Sequence, residues 1–428
     1  SCNRRSMNES PWQPYLPYNA LLCRYDEIGT KGKNRHAFEK RLWSELRRRL
    51  APMGEFSLIT ERGRIFLLPK DEKAHFSEED LLCLRHEVPL ISGLASLSPG
   101  FVLQPELAAI ESCVMTHFPA LHAAFRRHHG EAPCTYAMRC RRSDKGFPMS
   151  SQEIEIYFAG KLCQQFPDMT IDLRQAKLQV GLEIRQNLAF VFFERIAGAG
   201  GLPSGISGNV LALLSGGFDS PVACYQMMRR GCQVNYITFH SSPYTPPATL
   251  TKVADIARRL NSMQNPGKLL AVNLLPAQKA IRDLCSSRFR TVLYRRMMMR
   301  IASQVAYKLG DRALVSGDNL GQVASQTLEN LAVIEEAGTM MLLRPLICAD
   351  KWQIMKTAEK IGTWELSSQD VPDSCTVFAP PDPATKTHLP KIKQEEKALD
   401  LELLLQQCLQ STCFIDPQDY SETPAEFV

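Results

Sequence analysis

No run in the 428-residue sequence approaches the roughly 20 apolar residues of a membrane-spanning helix. No apolar core follows Arg4 and Arg5 either, so no secretory signal is expected and a cytoplasmic location is. The fourteen cysteines include no Cys-x-x-Cys pair and no framework spacing, which disfavours a zinc site or a disulfide scaffold. Most of these thiols should be small buried hydrophobes in a reducing compartment. No internal repeat is evident. An apolar fraction of 44% and a charged fraction of 22% are those of a soluble globular protein. A chain this long calls for about two to four domains.

The net charge of +5 is unevenly spread. Residues 1–200 carry +4, residues 201–379 carry +6 and residues 380–428 carry −5, a basic body with an acidic tail. Such a body suits a polyanionic partner, because phosphate contacts supply much of nucleic-acid affinity. Solvated faces of ordinary helices would give the same totals.

Three units follow from the pattern. Leu21–Tyr25 reads as a strand, Phe38–Leu50 as a helix and Glu61–Leu68 as a strand, a small α+β unit with a basic loop at Asp26–Arg35. A second mixed unit has helices over Leu107–Phe118 and Ser151–Phe166 and a strand over Thr135–Cys140. That strand leads into the cationic corner Arg139–Lys145, and a hairpin is expected around Gln186–Asn187. Beyond the glycine-rich linker Ala197–Gly205, strands and helices alternate as a parallel sheet requires. The tail is expected to add one leucine-rich helix, 398–409, docked on the body.

The chemistry centres on Asn209–Gly231, which reads as strand, glycine turn and helix. Val210–Leu214 is a short apolar run suited to an inner strand. Gly216 and Gly217 permit backbone that a side chain would block, Ser220 and Pro221 suit the N-cap and first helical residue, and Gly231 can end the helix. The turn thus aims N–H groups and a helix N-terminus at one point, where an anion is stabilised. It is not a Walker loop, since the Gly-x-x-x-x-Gly-Lys-[Ser/Thr] pattern is missing. Arg295, Arg296 and Arg300 suit either phosphate neutralisation or a solvated helix face. Met297–Met299 imply a substantially buried helix, and a buried arginine needs an anion partner. Lys351 follows Asp350 at a helix start, where a cation is unfavourable for the dipole; it suits a ligand-facing role or a surface one.

Ser215-Gly-Gly-Phe-Asp-Ser220 resembles the pyrophosphate loop (PP-loop) of ATP pyrophosphatases. With Tyr294–Arg300, Ser316–Leu328, Arg344-Pro-Leu, Asp350-Lys351, Asp373–Pro380, Glu27–Arg35, Arg142–Pro148 and Gly198–Pro203, the sequence resembles the tRNA 4-thiouridine synthetase (tRNA sulfurtransferase) family over roughly residues 20–380. The resemblance implies an α/β protein. Its C-terminal doubly wound parallel sheet, an adenine-nucleotide α-hydrolase-like pyrophosphatase over 197–382, would follow two small α+β domains, ferredoxin-like (20–82) and THUMP (83–196). A lead-in, 1–19, and an acidic tail, 383–428, complete the organisation. No rhodanese-like domain is expected.

The implied activity is ATP-dependent conversion of uridine 8 of tRNA to 4-thiouridine. The resemblance assigns ATP contacts to Leu213, Leu214, Ser215, Gly216, Gly217, Ser220, Thr238, Phe239, Arg295, Gly317 and Gln326. Asp219 would hold Mg²⁺, Lys351 would touch AMP or the activated base, and Cys375 would carry a persulfide donated by a cysteine desulfurase. Lys31, Lys33, Arg35, Arg141, Arg142 and Lys145 are expected in loops suited to the RNA backbone and acceptor end. One tRNA spanning two subunits would call for a homodimer, which the sequence leaves open, and a family role in supplying sulfur to the thiamine thiazole is a further implication. Two other readings share parts of the pattern. One is a PP-loop ligase or amidating enzyme acting on a small molecule, which has no use for roughly 200 upstream residues. The other is a non-catalytic tRNA-binding module, against which the intact Ser215, Asp219, Arg295 and Cys375 argue.

Overall fold

The computed structural model describes residues 12–25, 35–61, 64–70, 75–372 and 377–425. The chain divides into two compact units, 1–201 and 202–428.

The first unit opens with β1 (Ala20–Arg24), α1 (Arg35–Arg49), β2 (Phe56–Glu61), β3 (Arg64–Pro69), α2 (Glu78–Glu87) and β4 (Ser96–Leu103). It continues with α3 (Leu107–His129), β5 (Cys134–Arg142), α4 (Ser151–Gln165), β6 (Met169–Ile171), β7 (Leu178–Ile184), β8 (Ala189–Phe192) and β9 (Ile196–Ala197). The strands form one sheet in the order β2-β3-β1-β4-β8-β7-β5-β6, with β9 also on β4. The order β2-β3-β1-β4 is ferredoxin-like, and β4 pairs antiparallel with β1 on one side and β8 on the other, so the sheet runs unbroken into the THUMP segment. Alternation decides the faces: Leu21 and Cys23 of β1 join the core under the helices, whereas Ala20 and Leu22 pack with Phe66 and Phe190 on the opposite face. Helix α3 runs past its expected end at Phe118, because Leu121, Ala124 and Phe125 continue the buried stripe through Pro119. Helix α4 starts on the expected capping box, with Ser150 and Glu153 each bonding the other's backbone N–H.

The second unit contains β10 (Asn209–Leu213), α5 (Asp219–Arg229), β11 (Gln233–His240), α6 (Pro247–Asn261), β12 (Leu269–Asn273), α7 (Leu275–Leu284), α8 (Arg290–Leu309), β13 (Leu314–Val315) and α9 (Leu328–Glu335). After these come β14 (Leu342–Leu343), α10 (Lys351–Ile361), α11 (Trp364–Ser367), α12 (Leu389–Glu396), α13 (Leu401–Gln410), β15 (Cys413–Ile415) and β16 (Glu422–Pro424). The sheet order is β14-β13-β10-β11-β12-β15-β16, and the first five strands are parallel. From β10 the chain winds outward through β11 and β12, then returns to β13 on the other side. The β10/β13 boundary is therefore the topological switch point, where open α/β sheets bind ligands at the carboxyl ends of their strands.

The tail differs from the expectation of one helix. Two helices and a hairpin form, and β15 pairs antiparallel with β12, extending the sheet. Three-residue strands are too short to show an alternating pattern. Tail residues Leu399, Leu404 and Cys408 join the core of α7 and α8.

Candidate active site

Strand β10 delivers the loop 214–218 to the switch point, and α5 starts at Asp219. Ser220, expected as the N-cap, turns back into the loop. Its Oγ accepts from the Ser215 N–H at 3.0 Å and lies 3.2 Å from Ser215 Oγ, while the Gly217 N–H donates to Ser215 Oγ at 3.3 Å. With that hydroxyl engaged, the helix begins two residues earlier, Pro221 is its third residue, and no side chain caps it. Its positive end is left for a ligand. Neither Gly216 nor Gly217 has a left-handed φ. Space is what Gly216 provides, since a Cβ there would lie 3.1 Å from Lys252 Cδ. Gly317 is more constrained: a Cβ would lie 2.7 Å from the Ser220 nitrogen, so only glycine lets the loop after β13 pack on the start of α5.

These loops and α8 enclose a cleft of about 370 Å³. Leu213, Leu214, Ser215, Gly217, Asp219, Ser220, Thr238, Phe239, Arg295, Gly317 and Gln326 all line it. Gly216 borders an adjoining cavity of about 170 Å³. Lys351 is outside the lining, at the first turn of α10, but its charge acts on Asp219. Cys375, Lys31 and Lys33 lie outside the described residues.

Charge in the cleft is organised around two carboxylates. Arg295 donates to Asp318 at 2.6 Å, Ser316 Oγ donates to it at 2.8 Å, and Arg344 lies 3.4 Å away. Burial alone would raise the Asp318 carboxyl, but these partners outweigh it and hold it below the usual range. Burial raises the Asp219 carboxyl; Lys351 pulls it back and Asp318 adds to the rise. Two other groups in the wall have buried polar atoms with no hydrogen-bond partner, Gln326 Oε1 and the Tyr294 hydroxyl. Burial pushes the Tyr294 phenol up to about 12, so it is a neutral donor. Asp318, Tyr294, Thr291 and Met298 were not singled out from the sequence. The signal was available: Thr291, Arg295 and Met298 fall on one face of α8 at i, i+4 and i+7, and Asp318 stands inside the Ser316–Leu328 motif.

Arg296 and Arg300 do not reach the cleft. Arg296 is 1% exposed, donates to Glu396 of α12 at 2.8 and 3.0 Å and to Glu336 at 3.0 Å, and also bonds the Val333 carbonyl. Arg300 donates to the same Glu396 at 2.8 and 3.0 Å. The anions that a buried arginine requires are thus Glu396 of the acidic tail and Glu336, not a phosphate.

In the first unit a concavity of about 400 Å³ gathers Arg24, Arg64, Arg139, Arg141 and Arg195 around Glu183 and Glu194. Arg64 and Arg185 bond Glu183 at 2.9 and 2.7 Å. Arg141 and Arg142 end strand β5, and Arg142 donates to the Phe147 carbonyl at 2.8 Å, tying down the loop that contains the exposed Lys145. Arg35 begins α1 and bonds Glu39 at 2.8 Å. His122, Cys134 and Asp168 place ligand atoms within 4.8 Å of one another, but Arg126 and His122 already engage the Asp168 carboxylate. Among the described residues, no helix is long and apolar enough to cross a membrane.

Residues 205–401 match the family model of the thiamine biosynthesis protein ThiI, residues 20–96 the ThiI ferredoxin-like domain and residues 119–194 the THUMP domain. A probable tRNA sulfurtransferase of Alkaliphilus oremlandii is 37% identical over 393 residues, covering 92% of this chain and 97% of its own. The chain belongs to the tRNA sulfurtransferase family. Another member, from Natranaerobius thermophilus, is 34% identical and covers 96% of this chain and 99% of its own. A crystal structure of a 4-thiouridine synthetase in complex with RNA and bound ATP superposes with a TM-score of 0.80 at 31% identity, covering 93% of this chain and 99% of that one. The ferredoxin-like, THUMP and PP-loop parts of this family are thus all present.

Proposed function

We propose that the chain is an ATP-dependent tRNA uracil 4-sulfurtransferase that adenylates O4 of uridine 8 and replaces that oxygen with sulfur, giving 4-thiouridine. The observation that carries this reading is the convergence of the Ser215–Ser220 loop, Arg295, Gly317 and Gln326 on one cleft at the switch point. The lone acceptor of Gln326 suits the amino group of adenine, and the strand ends at Leu213 and Thr238 suit the nucleoside. The likeness to an ATP-bound 4-thiouridine synthetase supports the same ligand.

The C4 oxygen of uracil leaves poorly as hydroxide. Attack of O4 on the α-phosphorus of ATP breaks the bond to pyrophosphate and converts the oxygen into part of an AMP leaving group. The loop N–H groups, the start of α5 and Arg295 would offset the charge that builds on the departing pyrophosphate. Asp219 fits Mg²⁺, because a carboxylate raised by burial beside Asp318 gains from a counter-charge. Bound there, the ion would neutralise phosphate charge. Lys351, whose field reaches Asp219, would contact AMP or the activated base.

Cys375 would then act as a persulfide. Its terminal sulfur attacks C4, AMP departs with the electrons of the C–O bond, and the base is joined to Cys375 Sγ through a disulfide. A second thiol attacks Sγ, releasing 4-thiouridine and leaving a disulfide on the protein. A cysteine desulfurase as sulfur donor, a cytoplasmic setting, a homodimer spanned by one tRNA and sulfur supply for the thiamine thiazole belong to the same proposal.

The test uses purified protein, tRNA, ATP-Mg²⁺ and a persulfide donor, read by pyrophosphate release and 4-thiouridine absorbance. Asp219→Ala is expected to lower pyrophosphate release by about 10³-fold. Cys375→Ser should keep pyrophosphate release and stop thiolation; full thiolation by that variant would refute the sulfur assignment. Pyrophosphate release with no need for tRNA would instead favour a small-molecule ligase, and tRNA binding without turnover a non-catalytic module.

A further inference from the structure

One aromatic side chain beside the cleft is held by a pinned loop and yet left in solvent. The loop after β11 is fixed by local bonds: Ser241 Oγ donates to Gln278 Oε1 at 2.6 Å, the Ser241 N–H to Thr245 Oγ1 at 2.9 Å and the Tyr244 N–H to the Ser241 carbonyl at 2.7 Å. Ser241, Thr245 and Gln278 are buried, whereas Tyr244 is 53% exposed. Its ring meets that of Phe378 edge to face, with centroids 5.2 Å apart. Two cations of α7 attend the pair. Lys279 Nζ lies 5.8 Å from the centroid of the Tyr244 ring, and the Arg282 guanidinium 4.5 Å from that of Phe378. Phe378 has a left-handed φ of 57°, which a bulky side chain adopts only where its surroundings hold it. Asp283 bonds Arg282 at 2.7 and 3.1 Å, and that bond, with the charges of Arg282, Arg290 and Lys279, holds its carboxyl below the usual range. The patch adjoins the cleft: Thr238 and Phe239 at the end of β11 line it, as does Tyr294, on which the charges of Arg290 and Arg282 act.

We propose that Tyr244 and Phe378, flanked by Lys279 and Arg282, form a stacking platform for an unstacked base of the RNA substrate, a nucleotide next to the uridine that enters the cleft. The inference rests on the proposed tRNA reaction and names the surface that presents the RNA to it. A uridine brings O4 to a bound nucleotide only after leaving its stack, and its neighbours lose stacking when it does. An exposed ring on a pinned loop offsets that loss with little ordering cost, and does so for any base, since every base has a π-face. The cations divide the remaining work. Arg282, already bidentate to Asp283, steadies the Phe378 ring, while the exposed Lys279 offers its ammonium to the phosphate beside the stacked base. Two rings set among three cations and one carboxylate suit a base with its phosphate rather than the apolar face of a protein partner.

The experiment compares wild type, Tyr244→Ala, Tyr244→Phe and Lys279→Ala in the full chain with tRNA, ATP-Mg²⁺ and a persulfide donor. Turnover is read as 4-thiouridine, and tRNA binding is measured by filter retention over about 50 to 200 mM salt. Tyr244→Ala is expected to lower kcat/KM for tRNA by about ten-fold or more while KM for ATP stays within about two-fold. Its salt slope should match wild type, because the ring carries no charge. Tyr244→Phe keeps the ring and should behave as wild type. Lys279→Ala should weaken tRNA binding and reduce the slope of log affinity against log salt by about one. In wild type, tRNA with 5-bromouridine on either side of the target uridine should crosslink under ultraviolet light to Tyr244 or Phe378, located by peptide mass spectrometry. A wild type that thiolates tRNA beside a Tyr244→Ala variant with unchanged kcat/KM overturns the inference alone. So does a Tyr244→Phe variant as impaired as Tyr244→Ala, a parallel rise of KM for ATP, or the absence of that crosslink from both positions. A wild type that releases pyrophosphate with no need for tRNA overturns the proposed function and this inference together.

Discussion

Two adjacent arginines on α8 reach two different places, and the contrast separates binding chemistry from scaffolding. Arg295 opens onto the cleft at the switch point, is 22% exposed at the side chain and makes one close ion pair, with Asp318. Arg296 is sealed between α8, α9 and α12, satisfied by two glutamates and a carbonyl. A guanidinium with one close carboxylate at the rim of a cavity retains donors for an incoming phosphate. One enclosed by acceptors has none to give. Both carboxylates, Asp318 and Glu396, are buried groups that burial would raise but arginines hold below the usual range. At the other end of β13 stands a third buried carboxyl, Asp311, whose close partner is the Asn235 amide at 2.9 Å. With no arginine to oppose it, burial pushes Asp311 up to about 6, the Asn235 bond and Lys268 only moderating the rise.

The contrast can be broken by experiment. Arg296→Met leaves Glu396 buried with Arg300 alone. It should cost about 3 kcal/mol and lower Tm by roughly 6–10 °C in a thermal melt, with KM for ATP unchanged. A variant that melted like wild type but lost ATP turnover would place Arg296 in the site after all. Arg295→Met should lower kcat/KM for ATP by about 30-fold, some 2 kcal/mol, with Tm within about 2 °C of wild type, since Arg344 still faces Asp318.

Asp311→Asn sharpens the third case. A carboxyl raised in the folded state binds its proton more tightly there than when unfolded. It costs nothing below about pH 4, destabilises progressively as pH rises through its folded value near 6, and costs a constant amount above that. The asparagine removes this cost while its oxygen still accepts from Asn235. Tm should therefore rise by a few degrees at pH 7.5, about 1 kcal/mol after allowance for relaxation, and by nothing at pH 4. Equal gains at both values would show that packing, not ionisation, is responsible.

Much of the cleft was legible because its parts are local. A strand, a glycine turn and a helix lie consecutive in the chain, and the motif around Gly317 brings the loop that meets them. What stayed hidden depends on residues far apart in sequence. Arg296 and its Glu396 partner are 100 residues apart, so the helix alone could not say which arginine faced a phosphate. The inward turn of Ser220 was hidden for another reason: its hydroxyl chooses between capping α5 and bonding Ser215, and both are local options for the same residue. Lys252 gave no signal, since a lysine on an amphipathic helix reads as solvated until the carbonyls of Ser367 and Gln369 are seen across from it.

The hairpin β15-β16 on the edge of β12 has a consequence for synthesis on the ribosome. Helix α8, which carries Arg295, finds the partners that seal its other face only when α12 and α13 have emerged, and β12 stays an open edge until residues 413–424 arrive. A nascent chain with the loop, the cleft walls and α8 already made still has a bare sheet edge and an Arg296 guanidinium short of its Glu396 partner. Such a species is prone to edge-to-edge association. Assembly of the second unit is thus timed by the hairpin β15-β16 and the helices before it, and truncating the acidic tail would act first on yield and only then on the proposed catalysis.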